Sequence, residues 1–398
     1  MLYPLASSTW DKDEVIALQK VIDSGIFTMG DNVASFEKAF SDYIGKKYCV
    51  MVNSGSSANL LATAALFYRK NDPLCRGDEI IVPAVSWPTT YYPLYQYGLK
   101  LKFIDIDLDT FNYDLEALES AITDETKAVM IVNLLGNPND FTKIERIVGD
   151  RNIKLIEDNC EALGAEYKGR KTGTFEIVGT FSTFFSHHIT TMEGGLVVTD
   201  DEEIYHIMLC LRAHGWTRQL PKKNKVCGIK SDNNFEESYR FVLPGYNVRP
   251  LELSGAAGLI QLKKLPRFIN VRRENAEIFQ EFFANHKIFS IQKEVSHSSW
   301  FGFAFVMKEG LALERKTVID IMVNNGVECR PIVAGNITKN PVMKWLDYEI
   351  YGNLHNADLI DKNGFFIGNH HYDLTNKLTE LKEILSPQNF EMHARQKA

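Results

Sequence analysis

Two adjacent histidines, His187 and His188, stand just ahead of the Glu193-Gly194-Gly195 turn. An imidazole can shuttle protons near neutral pH, ligate a metal, or fill a buried, hydrogen-bonded slot. Neighbours on an extended strand point to opposite sides, so a single site would take one of the pair and not both. By residue type alone, a lone histidine is more often structural than catalytic. The choice stays open at this point.

Two further segments carry chemistry. Asn53-Ser54-Gly55-Ser56-Ser57-Ala58-Asn59 leads into Leu60-Leu61-Ala62-Thr63-Ala64-Ala65-Leu66, a strong helix-forming run. A Gly/Ser turn opening a helix offers free backbone N–H groups, hydroxyls and the positive end of the helix dipole, which together suit a phosphate. An ordinary serine cap would look the same. The apolar run Ile153–Glu157 passes directly into Asp158-Asn159-Cys160-Glu161. An acid at the carboxyl end of such a strand could pair with a pyridinium nitrogen, or simply cap the next helix.

These groups need a frame. Apolar runs at 79–83, 101–105, 128–133 and 153–157 read as strands, with helical spacing between them, for example at 115–122. Short apolar strands alternating with helices predict a mainly parallel sheet covered on both faces. Beyond about residue 245 the texture changes. A long helical region at 251–283, interrupted around Pro266, precedes a strand (301–307), a helix (315–325) and another strand (327–332). The expected organisation is an N-terminal arm (1–14), a large domain (15–245) and a small C-terminal α/β domain (246–398), with 388–398 polar and poorly ordered.

The bulk composition narrows the function. The 398 residues are 45% hydrophobic and 24% charged, with a formal net charge of −7. Nothing there favours nucleic acid, which leaves small molecules or other proteins. No apolar stretch approaches the ~20 residues that span a bilayer. The opening Met1–Ala6 lacks the basic and apolar regions of a secretory signal, so a cytoplasmic location is expected. The six cysteines are scattered with no CxxC pair, which predicts free buried thiols and no cysteine-built metal site.

The segment Gly179–Gly195 (GTFSTFFSHHITTMEGG) resembles the fold-type-I pyridoxal-phosphate enzymes, specifically their sugar-aminotransferase branch, the DegT/DnrJ/EryC family. That branch carries a Phe-Ser-Phe strand, a Schiff-base lysine and a Glu/Asp-Gly-Gly turn. The Ser-Gly-Ser-Ser-Ala-Asn loop and the Glu-Asp-Asn-Cys strand end fall in the family's order. Here the lysine's position is taken by His187, and no lysine lies between Lys171 and Lys222. In this it is similar to the branch's sugar 3-dehydratases. So are the stretches Pro4–Trp10, Phe27–Gly30, Arg212–Arg218 and Pro244–Pro250.

The resemblance implies an aspartate-aminotransferase-like fold, with a large mainly parallel sheet and a smaller C-terminal domain. It implies pyridoxal 5'-phosphate or pyridoxamine 5'-phosphate as cofactor, a GDP-linked 4-keto-6-deoxy sugar and L-glutamate as partners, and a homodimer with shared sites. Histidine cannot hold the cofactor covalently, but with an ordinary pKa near ~6.5 it can act as base and acid. His187 is therefore the expected catalytic residue, and His188 is left to support or structure. By the same resemblance Trp87 would stack on the cofactor ring and Asp158 would bind its nitrogen. Glu161 would orient cofactor or substrate. Gly55, Ser56, Ser57 and Ser182 would hold the phosphate, with Asn247 reaching it across a dimer interface. Arg249 and Arg330 are candidates for carboxylate or diphosphate recognition. His214, Trp216 and Arg218 are candidates for the sugar or nucleotide. The rival readings are a true sugar aminotransferase using another lysine, or a silent cofactor- or sugar-binding homologue.

Overall fold

The computed structural model describes residues 2–390. An eight-stranded sheet forms its centre. In spatial order its strands are Tyr48–Val52, Gly195–Thr199, Val178–Ser182, Lys154–Asp158, Thr126–Val132, Glu79–Pro83, Lys100–Ile104 and Tyr348–Ile350. Gly195–Thr199 runs antiparallel to both neighbours, and every other pairing is parallel. The period-two rule accounts for the nearly unbroken apolar strands, since alternate side chains enter separate cores on the two faces. Ala128, Met130 and Val132 face the core that holds the Gly55–Phe67 helix. Val129 and Ile131 face the core packed by the Leu115–Ala121 and Phe141–Val148 helices. The edge strand Tyr348–Ile350 comes from the C-terminal part of the chain and pairs with Lys100–Ile104.

A three-stranded antiparallel sheet (Phe289–Ile291, Gly302–Met307, Gly364–Gly368) forms a second centre. Its core includes Phe279 and Phe283 from the long helix and Leu378 and Leu381 from the Thr375–Ile384 helix. Tyr3 joins it, bridging to Val327 and donating its hydroxyl to the carbonyl of Gly368 at 2.8 Å.

Four expectations change. The long helix runs unbroken over Glu252–Phe283 with Pro266 inside. A mid-helix proline costs ~3 kcal/mol, but Leu265, Phe268 and Ile269 are buried beside it, and their packing outweighs one lost hydrogen bond. The stretch 327–332 makes only isolated bridges, at Val327 and Arg330, because Pro331 has no N–H to give a ladder. The thiols are all free, but only Cys49 and Cys210 are buried, and Cys75 is exposed. Of the terminal stretch expected to be poorly ordered, Phe390 packs into the second core, while 391–398 lie outside the described residues. No helix among the described residues is long and apolar enough to cross a membrane.

Candidate active site

The carboxyl ends of the parallel strands open into a cavity of about 290 Å³. This is where open α/β sheets place their ligands. Two helix N-termini converge there. The Gly55–Phe67 helix is capped by Ser54, whose hydroxyl oxygen accepts the N–H of Ser57 at 3.1 Å. The Pro88–Gln96 helix starts after Trp87, with proline at its first position as helix geometry favours. Ser56 Oγ donates to Thr89 Oγ1 at 2.9 Å and joins the two ends. A Cβ on Gly55 would sit 2.5 Å from Ser182 Cβ and 3.1 Å from Cys160 Sγ, so only glycine lets this loop approach the sheet so closely.

Asp158 ends its strand at the cavity and is 5% exposed. Its Oδ2 accepts Asn59 Nδ2 (2.9 Å) and Thr90 Oγ1 (2.8 Å), and its Oδ1 accepts the N–H of Cys160 (3.1 Å). Among the described residues no lysine, arginine or histidine forms an ion pair with it. Glu161 lines the same wall and accepts the N–H of Leu135 at 3.1 Å. Burial pushes its carboxyl up to about 7, against the opposing pull of the Arg330 charge and the Leu135 N–H.

The strand before the histidines ends at Ser182, so His187 and His188 lie in a bend and not on a strand. A turn bond from the N–H of His187 to the carbonyl of Phe184 (2.9 Å) shapes that bend. The two rings still part company. His187 lines the cavity, its ring centroid 5.1 Å from that of Phe301, with Nδ1 buried and lacking a hydrogen-bond partner. Burial pushes its pKa down to about 3, with the positive charges of Arg330 and Arg272 adding to the effect. The imidazole is therefore neutral across the physiological range, a weaker base than the ordinary value suggests. His188 is buried away from the cavity, its Nε2 3.1 Å from the carbonyl oxygen of Ser299.

Of the residues expected from sequence, the fold brings Gly55, Ser56, Trp87, Asp158, Glu161, Ser182, His187 and Arg330 to one cavity. Ser57 is spent on the helix cap. Asn247, His214, Trp216, Arg218 and Arg249 gather outside it. There Arg218 stands 4.5 Å over the Trp216 ring, the His214 ring lies 4.9 Å from it, and Arg249 Nε donates to Asn247 Oδ1 at 2.9 Å. The exposed Tyr239 and Phe241 border this group. The sequence reading missed Asn59, Thr89, Thr90 and Phe301, which also line the cavity. Asn59 was within reach, because it follows Gly55 by one helical turn and so shares its face. Nothing local marked Phe301.

The fold and the site define the class, the aspartate-aminotransferase-like enzymes of fold type I. The chain belongs to the DegT/DnrJ/EryC1/StrS aminotransferase family, whose model matches residues 8–380. It is 59% identical over 384 residues to the GDP-4-keto-6-deoxy-D-mannose 3-dehydratase of Escherichia coli O55:H7, covering 96% of this chain and 99% of that one. A solved GDP-4-keto-6-deoxymannose-3-dehydratase with a trapped PLP–glutamate geminal diamine superposes with a TM-score of 0.96 at 59% identity, over 96% of this chain and 100% of that one. A mutant of the same kind of enzyme with bound GDP-perosamine gives 0.95 at 58%, over the same shares.

Proposed function

We propose that this chain is a pyridoxamine-phosphate-dependent 3-dehydratase. It would remove the C3 hydroxyl of GDP-4-keto-6-deoxymannose to give the 4-keto-3,6-dideoxy sugar nucleotide, with L-glutamate restoring the cofactor amine. One observation carries the reading: His187 lines the cavity, and among the described residues no lysine lines it. A lysine would tether the cofactor and return an amine to the sugar, whereas an imidazole can only move protons. The strong likeness to dehydratases over nearly the whole chain supports the same reading.

The residues present fit the cofactor. Asp158 is a buried acid surrounded by donors and without a protein cation, as a ring N–H⁺ requires. The Gly55 cradle and two helix N-termini suit a phosphate, with Ser56, Thr89 and Ser182 as hydroxyl donors. Trp87, 54% exposed at the cavity rim, offers an aromatic face for the ring. Bound there, the cofactor supplies a primary amine for the C4 ketone and a cationic ring that withdraws electrons. His187, neutral at working pH, accepts a proton at Nε2 and returns it to the departing C3 hydroxyl. Glu161 and Arg330, on the same wall, orient the substrate and the glutamate carboxylate.

Asn247, His214, Trp216, Arg218 and Arg249 lie outside their own cavity, which favours a homodimer in which they complete the partner's site. Mixing His187→Asn chains with Asn247→Ala chains would then restore activity, because the mixed dimer holds one intact site. The cytoplasm is the compartment this reading implies.

The deciding experiment is mass analysis of the sugar nucleotide after incubation with cofactor, glutamate and GDP-4-keto-6-deoxymannose. Loss of one oxygen, no nitrogen on the sugar and release of ammonia are expected. An amino sugar would establish an aminotransferase instead, and an unchanged substrate would overturn the dehydratase reading.

A further inference from the structure

Asp158 is surrounded by donors that are themselves oriented by other side chains. Thr180 Oγ1 donates to Asn59 Oδ1 at 2.6 Å, which turns the amide so that Nδ2 faces Asp158 Oδ2. The carbonyl of Glu157, at 3.3 Å, is the longer alternative for that hydroxyl. Ser86 Oγ lies 2.9 Å from Thr90 Oγ1. Because the Thr90 hydrogen is committed to Asp158, Ser86 is the donor of that pair. Asn59, Ser86, Thr90, Thr180 and Asp158 are all buried, so these bonds are largely shielded from bulk water. Three elements contribute: the Gly55–Phe67 helix, the Pro88–Gln96 helix with the turn before it, and the Val178–Ser182 strand.

We propose that Asn59, Thr90 and Thr180 are positioning residues that hold Asp158 as an anion, so that a proton shared with the ring nitrogen of a bound pyridine cofactor rests on the nitrogen. The inference rests on the cofactor reading above. Its physics is a matter of sign. Each donor bonds more strongly to the carboxylate than to the protonated acid, whose oxygens are weaker acceptors, so each moves the shared proton towards the ligand. Removing one donor would move that proton distribution about tenfold back towards Asp158, the lower end for a hydrogen bond to a charged group. The ring's strength as an electron sink would then be set partly by the side chains that donate to Asp158 and by Thr180 behind them.

The test is ¹⁵N NMR of pyridoxal phosphate labelled at the ring nitrogen and bound to the full chain, with dissociation constant and thermal midpoint measured alongside. The ring nitrogen is expected to be protonated in the native protein. Thr90→Val and Asn59→Leu should each shift its signal towards the unprotonated form by about a tenfold change in populations. Thr90→Ser, which keeps the hydroxyl, should match the native protein. Thr180→Val, which reorients Asn59 without removing a donor to Asp158, should shift it the same way by less, and it serves if the other variants fail to fold. A native-like nitrogen signal in the valine and leucine variants, with only affinity or thermal midpoint lowered, would overturn the inference and leave these residues as packing. A native chain that binds no pyridoxal phosphate would instead overturn the cofactor reading.

Discussion

Replacing His187 by asparagine tests the chemistry at its narrowest point. The imidazole packs edge-on against Phe301 and Phe184, and among the described residues His187 makes a hydrogen bond only through its backbone N–H, so the variant loses little packing. Stability should change by no more than about 1 kcal/mol, and cofactor affinity by no more than about threefold. Turnover should fall by about 10²- to 10⁴-fold, the usual worth of a placed acid–base group, or about 3–5 kcal/mol in barrier. Single-turnover conversion of the sugar nucleotide, followed by mass spectrometry beside equilibrium dialysis of the cofactor, separates the two effects. The pH dependence adds a second constraint. His187 is pushed down to about 3, so its neutral, base-competent form is present at pH 7 and is lost only as pH falls through that low value. No histidine limb near 6.5 should appear in the rate profile. An asparagine variant retaining more than about a tenth of native turnover would refute the assignment, since it lies far above the loss expected for a general base. A limb near 6.5 that disappears in the variant would refute the argument from burial.

The neighbouring sites give further tests. Glu161 is held up to about 7, so a limb near that pH should appear in the rate profile and vanish in Glu161→Gln. Gly55→Ala drives a methyl into Ser182 and Cys160, and calorimetry with a cofactor titration should show lower stability and at least tenfold weaker binding, the cost of about 1.4 kcal/mol. Trp87→Ala removes a rim aromatic and should weaken cofactor binding about tenfold with little change in thermal midpoint. Glu157 is fully buried, and burial raises its carboxyl to about 7 despite N–H bonds from Gly173, Phe175 and Glu176. The folded state therefore binds more protons than the unfolded one between pH 4.5 and about 7, and stability falls as pH rises through that window. At 1.36 kcal/mol per pH unit this amounts to about 3 kcal/mol, and urea denaturation at pH 5 and 8 should show Glu157→Gln flattening that slope.

Sequence alone determined the parts whose cause is local. The parallel sheet was legible because strands buried on both faces carry unbroken apolar runs, as in Ala128–Val132. The Gly/Ser turn that opens a helix, the acid at the strand end and the histidine ahead of the Glu-Gly-Gly turn were legible because each is a short run with a fixed order. Only the tertiary structure decided the rest. It kept the long helix unbroken through Pro266, because buried neighbours on that helix outweigh a local propensity. It brought Phe301 and Arg330, more than a hundred residues downstream, against His187 and Glu161, and so set the protonation of both. It assembled the donors behind Asp158 from three elements. It also put Trp216 and Arg218 outside the cavity they were candidates to line, since motif order along a chain carries no information about which surface a side chain faces. Charge state and the membership of the site depend on burial and on long-range neighbours, and only the folded chain sets those.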